Sequence, residues 1–333
     1  MRLRHIAAAV VPLLVAAGLV PGADARVPHE PQPRSESEVS SPVTSRAAMA
    51  IDTRDKAEVQ AVYRQLWRSA DAQRPEWVGG DVRTCQSGRL SGGSTNKQLG
   101  AINFARLLAG LTPLALDSDS VEEAQAAAIM MTAKNAVNHY PPKSWPCWSQ
   151  LGYDAAGLSN LYQGVRGESN AAKIESYLDD WGNINHEVGH RRWFLYPYLT
   201  AIGIGGTATA NVSYLFGQPF NDAAPNPEWV SWPAAGWFPS RLDPRGRWSL
   251  SSGDDGADFS DATVRVKFAQ KWVKGITVHE PETSPGKPTL VWEMPDYWPT
   301  DPVGKARVMV EDITIDGISG HREIYSVKFF RSR

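Results

Sequence analysis

The sequence predicts an α+β protein, with helices in its first half and an antiparallel β-sandwich at its end. Three observations carry that expectation. Apolar residues recur at helical spacing over 54–72 and 97–109, and an Ala-rich stretch with a capping-box start follows to about residue 137. After about residue 228, short strand-like runs alternate with turn signals. The 28 Gly and 24 Pro among 333 residues disfavour an all-helical bundle. That length suits two domains plus additional sequence.

The first element is an address. Arg2 and Arg4 precede an apolar run from Ile6 to Val20, Pro21-Gly22 breaks it, and Ala23-Asp24-Ala25 supplies small residues at a cleavage point. This is the three-part pattern of a secretory signal peptide, residues 1–25. Its apolar core of about 15 residues falls short of the roughly 20 that span a bilayer. No later segment is long and apolar enough to span, so no transmembrane segment is expected after cleavage. Residues 26–50 are rich in Pro, Ser, Glu and Arg and read as a disordered linker.

A first helix is expected over 54–72, where Val59, Val62, Tyr63, Leu66 and Trp67 share a face. Residues 79–95 are Gly/Ser-rich and read as a loop. A second helix is expected over 97–109, with Phe104, Leu107, Leu108 and Leu111 on one face and Gly110 as its stop. A third begins near Ser118 or Ser120, where Ser120 and Glu123 have capping-box spacing. It runs to about Val137, before Asn138-His139-Tyr140-Pro141-Pro142 stops it. A shorter helix is expected over 171–181, and β-branched and Gly-rich sequence over 200–216 reads as a hairpin. The later runs 262–268, 276–278, 289–292, 306–310 and 325–330 read as sandwich strands, with Asp316-Gly317 among the turns. Seven of the 13 Trp lie in this region. Exposed indoles could bind glycan or peptide, but the large area a Trp buries favours core packing.

Composition excludes some functions. A formal net charge of -2 argues against a dedicated nucleic-acid binder, which needs a basic stripe. Two cysteines exclude a Cys-based zinc cluster. In an oxidising compartment Cys85 and Cys147 are expected to pair, with two free thiols as the alternative. There is no Gly-x-Ser-x-Gly elbow and no phosphate loop between a strand and a helix. The sharpest local string is His186-Glu187-Val188-Gly189-His190, which matches His-Glu-x-x-His. On a helix such a string lets two imidazoles hold zinc while the Glu activates water. Here it follows the turn-like Gly182-Asn183-Ile184-Asn185 and lacks the downstream Gly and third His of the extended motif. His186 therefore reads as an exposed or loop-anchoring residue, and Glu187 as a solvated charge.

Four ordered segments use more of the chain. They are Asn103-x-x-Arg106 with Gly110-Leu111-x-Pro113-Leu114; Ala124-Gln125 with Ala128 and Met131; Asn138-His139-x-Pro141; and Gly189-His190-Arg191-Arg192-Trp193 followed by Ile202-Gly203-Ile204-Gly205. This order resembles the CAP superfamily (SCP-like domains: cysteine-rich secretory proteins, antigen 5 and plant pathogenesis-related proteins). The resemblance covers about residues 95–217. It implies an α-β-α sandwich with a surface cleft lined by two His and two carboxylates. His139 and His190 match the histidines. Asp180, or alternatively Glu175, stands for one carboxylate. The other belongs in a Gly-Glu-Asn-Ile-like segment that here reads Gly157-Leu158-Ser159-Asn160-Leu161, so Ser159 replaces it. Segments around Trp232-Pro233 and Arg247-Trp248 resemble the β-sandwich partner of some microbial CAP domains. The expected order is thus 1–25 signal peptide, 26–50 linker, 51–94 helical extension and loop, 95–222 CAP-like domain, and 223–333 immunoglobulin-like β-sandwich.

Two neutral imidazoles converging on one point can hold Zn²⁺, so His139 and His190 are the candidate metal ligands. The alternative is that each only fixes its loop by hydrogen bonding. The leading functional expectation is a secreted protein that binds a lipid, cell-wall component or protein through the cleft or the β-domain. The rivals are a zinc-dependent hydrolase using 186–190 or the His139/His190 pair, and a non-catalytic adhesion or wall-spacer module.

Overall fold

The computed structural model describes residues 50–182, 185–217, 219–281 and 286–332. The signal-peptide and linker expectations lie outside the described residues. The described residues belong to one compact unit.

The chain enters through α1 (Lys56–Val62), capped by the Asp55 carboxylate and continued by a π-helical turn at Tyr63–Arg68. A small hairpin, Trp77–Val78 with Arg89–Leu90, leads to α2 (Gly92–Leu108). This helix starts earlier than the Gly/Ser-rich sequence predicts, because the Ser91 hydroxyl accepts from the Ser94 amide and caps it. Strand β1 (Ala115–Leu116) precedes α3 (Val121–Lys134). The expected capping box does not form there: the Ser120 hydroxyl donates to the Asp117 carboxylate instead. Helix α3 ends at Lys134, short of Val137, because Asn135 turns left-handed as its C-cap. Then follow α4 (Gln150–Gly157), β2 (Ser159–Gln163), α5 (Asn170–Asp179), α6 (Gly189–Phe194), β3 (Ala201–Gly206) and β4 (Ala210–Tyr214).

These strands form a sheet in the order β1-β3-β4-β2 with helices on both faces. Strand β3 shows why. Ile202 and Ile204 join one buried cluster with Phe104 of α2 and Ile174 of α5. The intervening Gly203 and Gly205 face α3, and a Cβ on Gly203 would come within 2.6 Å of the Ser120 carbonyl oxygen. Only glycine lets the α3 backbone come this close to the strand. Small residues of α3 and α4 (Ala124, Ala127, Ala128, Ala155, Ala156) fill the other layer with Leu161 and Val212. The result is the expected α-β-α sandwich.

Conserving polar order inside this half needs partners for buried groups. Asn103 exchanges two hydrogen bonds with the backbone of Leu114, at 2.9 and 2.7 Å. Arg106, fully buried, donates to the carbonyls of Thr112, Phe194, Tyr196 and Leu199 at 2.7–3.0 Å. The Asn-x-x-Arg pair is therefore scaffold.

The second half is two facing sheets. One runs β9-β10-β7-β5, from β5 (Trp229–Trp232), β7 (Arg247–Ser252), β9 (Thr277–Val278) and β10 (Thr289–Glu293). The other runs from Lys271–Trp272 through β8 (Thr263–Phe268), β11 (Gly304–Ile315) and β12 (Ile318–Phe330) to β6 (Gly236–Pro239), and Ala257–Asp258 also pairs with β11. Asp316-Gly317, both at positive φ, turns β11 into β12. One pairing departs from the antiparallel expectation: β12 runs parallel to β6, with Val327 opposite Gly236. Trp232, Trp248 and Trp292 are fully buried between the sheets, as core packing predicts, whereas Trp272 is half exposed.

The two halves share one continuous core and are bolted by buried cations. Arg191 donates to Ser249 Oγ at 3.1 Å, Arg247 to the Asp180 carbonyl at 2.7 Å, and Arg192 to the Lys287 carbonyl at 3.0 Å. No helix among the described residues is long and apolar enough to cross a membrane.

Candidate functional site

The left-handed end of α3 sends the chain into the loop that carries His139. Its Nδ1 lies 2.8 Å from the Ala156 carbonyl on α4. A carbonyl only accepts, so Nδ1 carries the proton and Nε2 keeps its lone pair. Burial of the ring pushes its pKa below the ordinary value.

His190 sits in the first turn of α6. Asp180, the left-handed C-cap of α5, is 1% exposed and holds this turn with both oxygens. Oδ1 accepts from His190 Nδ1 at 2.7 Å, and Oδ2 accepts from the His190 amide at 2.9 Å. A buried carboxylate on Nδ1 again leaves Nε2 as the free nitrogen. Tyr177 packs on the ring, with centroids 5.5 Å apart, and Asn160 Nδ2 donates to the His190 carbonyl at 3.0 Å.

Both imidazoles line a cavity of about 240 Å³. Ser159, Asn160 and Asn185 form its polar part, and Trp193, Leu215 and Phe216 its apolar wall. The family model described as the cysteine-rich secretory protein family, CAP, matches residues 99–220. Residues 99–220 are a CAP domain. No curated protein matches the chain.

The CAP cleft departs from the sequence expectation in three places. Asp180, expected in the cleft, is buried behind the His190 turn and is not among the described lining residues. Glu175 is not the cleft's carboxylate: that side chain pairs with Arg241 at 3.1 Å, away from the cavity, and burial pushes its pKa up to about 7. Glu187, expected to be a solvated charge, is exposed but lines the cavity. It is the only acid among the described lining residues. Ser159 lines the cavity too, with its hydroxyl committed to the Ala155 carbonyl at 2.7 Å.

The His-Glu-x-x-His string is not a helical zinc motif. Val188 adopts φ 47°, α6 begins only at Gly189, and His186 lies in the turn before it. The left-handed Val188 breaks the i, i+4 relation that would align His186 with His190. His186 instead meets His279 and Glu293 of the β-sandwich.

Cys85 and Cys147 form the expected disulfide, with Cα atoms 5.0 Å apart. It ties the loop after His139 to the helical extension, and Trp148 Nε1 braces the same loop by donating to the Pro141 carbonyl at 3.0 Å. A larger groove of about 750 Å³ lies by Lys56, Trp237 and Lys328. Its described lining residues include lysines but no acid or imidazole, so the CAP cleft is the better candidate despite its smaller size.

Proposed function

We propose that this is an exported CAP-domain protein whose cleft binds an amphiphilic ligand, a lipid or a cell-wall component, at the His139/His190 pair. The observation that carries this reading is the shared arrangement of the two rings. Each has Nδ1 tied to a protein oxygen and no hydrogen bond to Nε2 among the described residues, beside the apolar wall of Trp193 and Phe216. Export is supported by the signal-peptide pattern and the disulfide. A protein ligand and a role for residues 26–50 in crossing a cell wall belong to the same reading.

The donor set also suits Zn²⁺. Imidazoles oriented through Nδ1 by a carbonyl and a carboxylate are the usual outer-shell support of a metal-binding pair. A bound zinc ion would act as a Lewis acid toward an oxygen of the ligand. Ser159 in place of a carboxylate makes the site open and weak, with Glu187 at its rim as the acid in reach. A hydrolase reading is favoured by that one observation, because Glu187 is a candidate base beside the pair. Binding remains the better reading, because the Ser159 hydroxyl faces a carbonyl and both cysteines are bonded.

The test is mass spectrometry of lipids and wall fragments carried by the secreted protein. His139→Ala and His190→Ala should each lose the co-purifying species. Retention in both variants would overturn the cleft assignment. Peptide or ester hydrolysis abolished by Glu187→Gln would instead favour the second reading.

A further inference from the structure

A second group of metal-ligating side chains lies outside the cleft, where the turn before α6 meets the β-sandwich. His186 comes from that turn, His279 follows β9, and Glu293 ends β10. One ligand atom from each lies within 4.8 Å of the others. The edges to Glu293 Oε1 are 3.2 Å from His279 Nε2 and 3.8 Å from His186 Nδ1. A tetrahedral zinc with bonds of about 2.0–2.1 Å separates its ligand atoms by about 3.4 Å, so shifts of at most about 1.4 Å close the set. The two rings lie 4.6 Å apart by centroid and 36° from parallel, an arrangement that a shared cation would hold.

Charge is the main objection. Arg247 donates to Glu293 through Nε at 3.0 Å and Nη2 at 2.8 Å, and a guanidinium repels a second cation. Among the described residues, however, every hydrogen bond Glu293 accepts lands on Oε1. Oε1, the oxygen that makes both imidazole edges, would be shared between Arg247 and the ion, while Oε2 keeps its lone pairs as a second donor. Arg247 also donates to the carbonyls of Asp180, Gly182 and Asn185, which fixes the turn that carries His186. The site is accessible: the His186 side chain is 46% exposed.

We propose that His186, His279 and Glu293 bind a divalent transition-metal ion of the zinc class, with water completing the coordination, and that this ion staples the turn bearing Glu187 to the β-sandwich. Imidazole and carboxylate donors suit Zn²⁺ better than Ca²⁺ or Mg²⁺, which prefer oxygen alone. The proposal is independent of the cleft's role.

The experiment is calorimetric titration of the full secreted chain with Zn²⁺ alone, together with the absorption spectrum of the Co²⁺-loaded protein. His186→Ala and His279→Ala should each weaken one Zn²⁺ site at least tenfold and remove the d–d band of that site. His139→Ala should leave it unchanged. His186 is on an exposed turn, so its variant should fold, as a melting curve would verify. Wild-type protein that takes up no Zn²⁺, or a site intact in either histidine variant, overturns the proposal.

Discussion

Replacing Asp180 separates the cleft's geometry from its mere presence. The carboxylate is almost fully buried and accepts from the His190 ring and from the backbone amides of His190 and Arg191. In Asp180→Ala these donors lose their acceptor. Losing a hydrogen bond to a charged group costs about 1.5–3 kcal/mol, and a left-handed alanine adds roughly 1–2 kcal/mol. At about 2 °C per kcal/mol for a unit of this size, Tm should drop by about 5–10 °C. Asn tolerates the left-handed backbone and keeps one acceptor oxygen, so Asp180→Asn should lose only about half as much. The assay is thermal unfolding followed by near-ultraviolet circular dichroism, with imidazole ¹⁵N spectra of both variants. In the Ala variant His190 should no longer hold its proton exclusively on Nδ1. A Tm within about 1 °C of wild type, with the His190 tautomer unchanged, would refute the view that Asp180 sets this ring.

Other outcomes follow from the same contacts. Burial pushes Glu175 up to about 7, Asp179 to about 6 and Asp243 to about 7. The folded state then holds protons that the unfolded chain has released, so Tm should rise as pH falls from about 8 to 6.5, less so in Glu175→Gln; a fall over that interval would contradict the assignment. Below that range His139, whose pKa burial lowers, works in the opposite sense, because the unfolded chain then binds the proton more readily. Reduction of the disulfide, which closes a 62-residue separation, should cost about 4 kcal/mol, read as a lower denaturant midpoint in reducing buffer. In Gly205→Ala a Cβ would collide with the Ala124–Gln125 backbone, so a loss of about 1–3 kcal/mol by urea unfolding is expected. Ser159→Glu would supply the missing carboxylate and should tighten Zn²⁺ binding about tenfold by calorimetry; unchanged affinity would show that residue 159 does not reach the ion.

Much of the fold was legible because its signals are local. Helical spacing marked α1 and α2, Ala-rich sequence marked α3, turn residues separated the strands, and the size of Trp248 and Trp292 placed them in the core. The cleft histidines were legible only through the ordered resemblance, since nothing local distinguishes His139 from a loop histidine. What stayed hidden depends on backbone sign or on distant partners. Glu187 reaches the cavity because Val188 is left-handed, a conformation that a β-branched residue does not advertise. The capping box failed because Asp117, three residues back, captured the Ser120 hydroxyl. The parallel pairing of β6 with β12 joins segments far apart in the chain, and strand periodicity does not encode a partner. His186 and His279 meet for the same reason: two halves read separately pack as one unit.

The central claim is that His139 and His190 present open Nε2 atoms to one cleft. Long-range ¹H–¹⁵N spectra of the imidazoles in the full chain at about pH 8, where free histidine is neutral, test it directly. Both rings should carry their proton on Nδ1, and both Nε2 resonances should shift together on ligand or Zn²⁺ addition. A proton on Nε2 in either ring, or a response from one ring without the other, would contradict it.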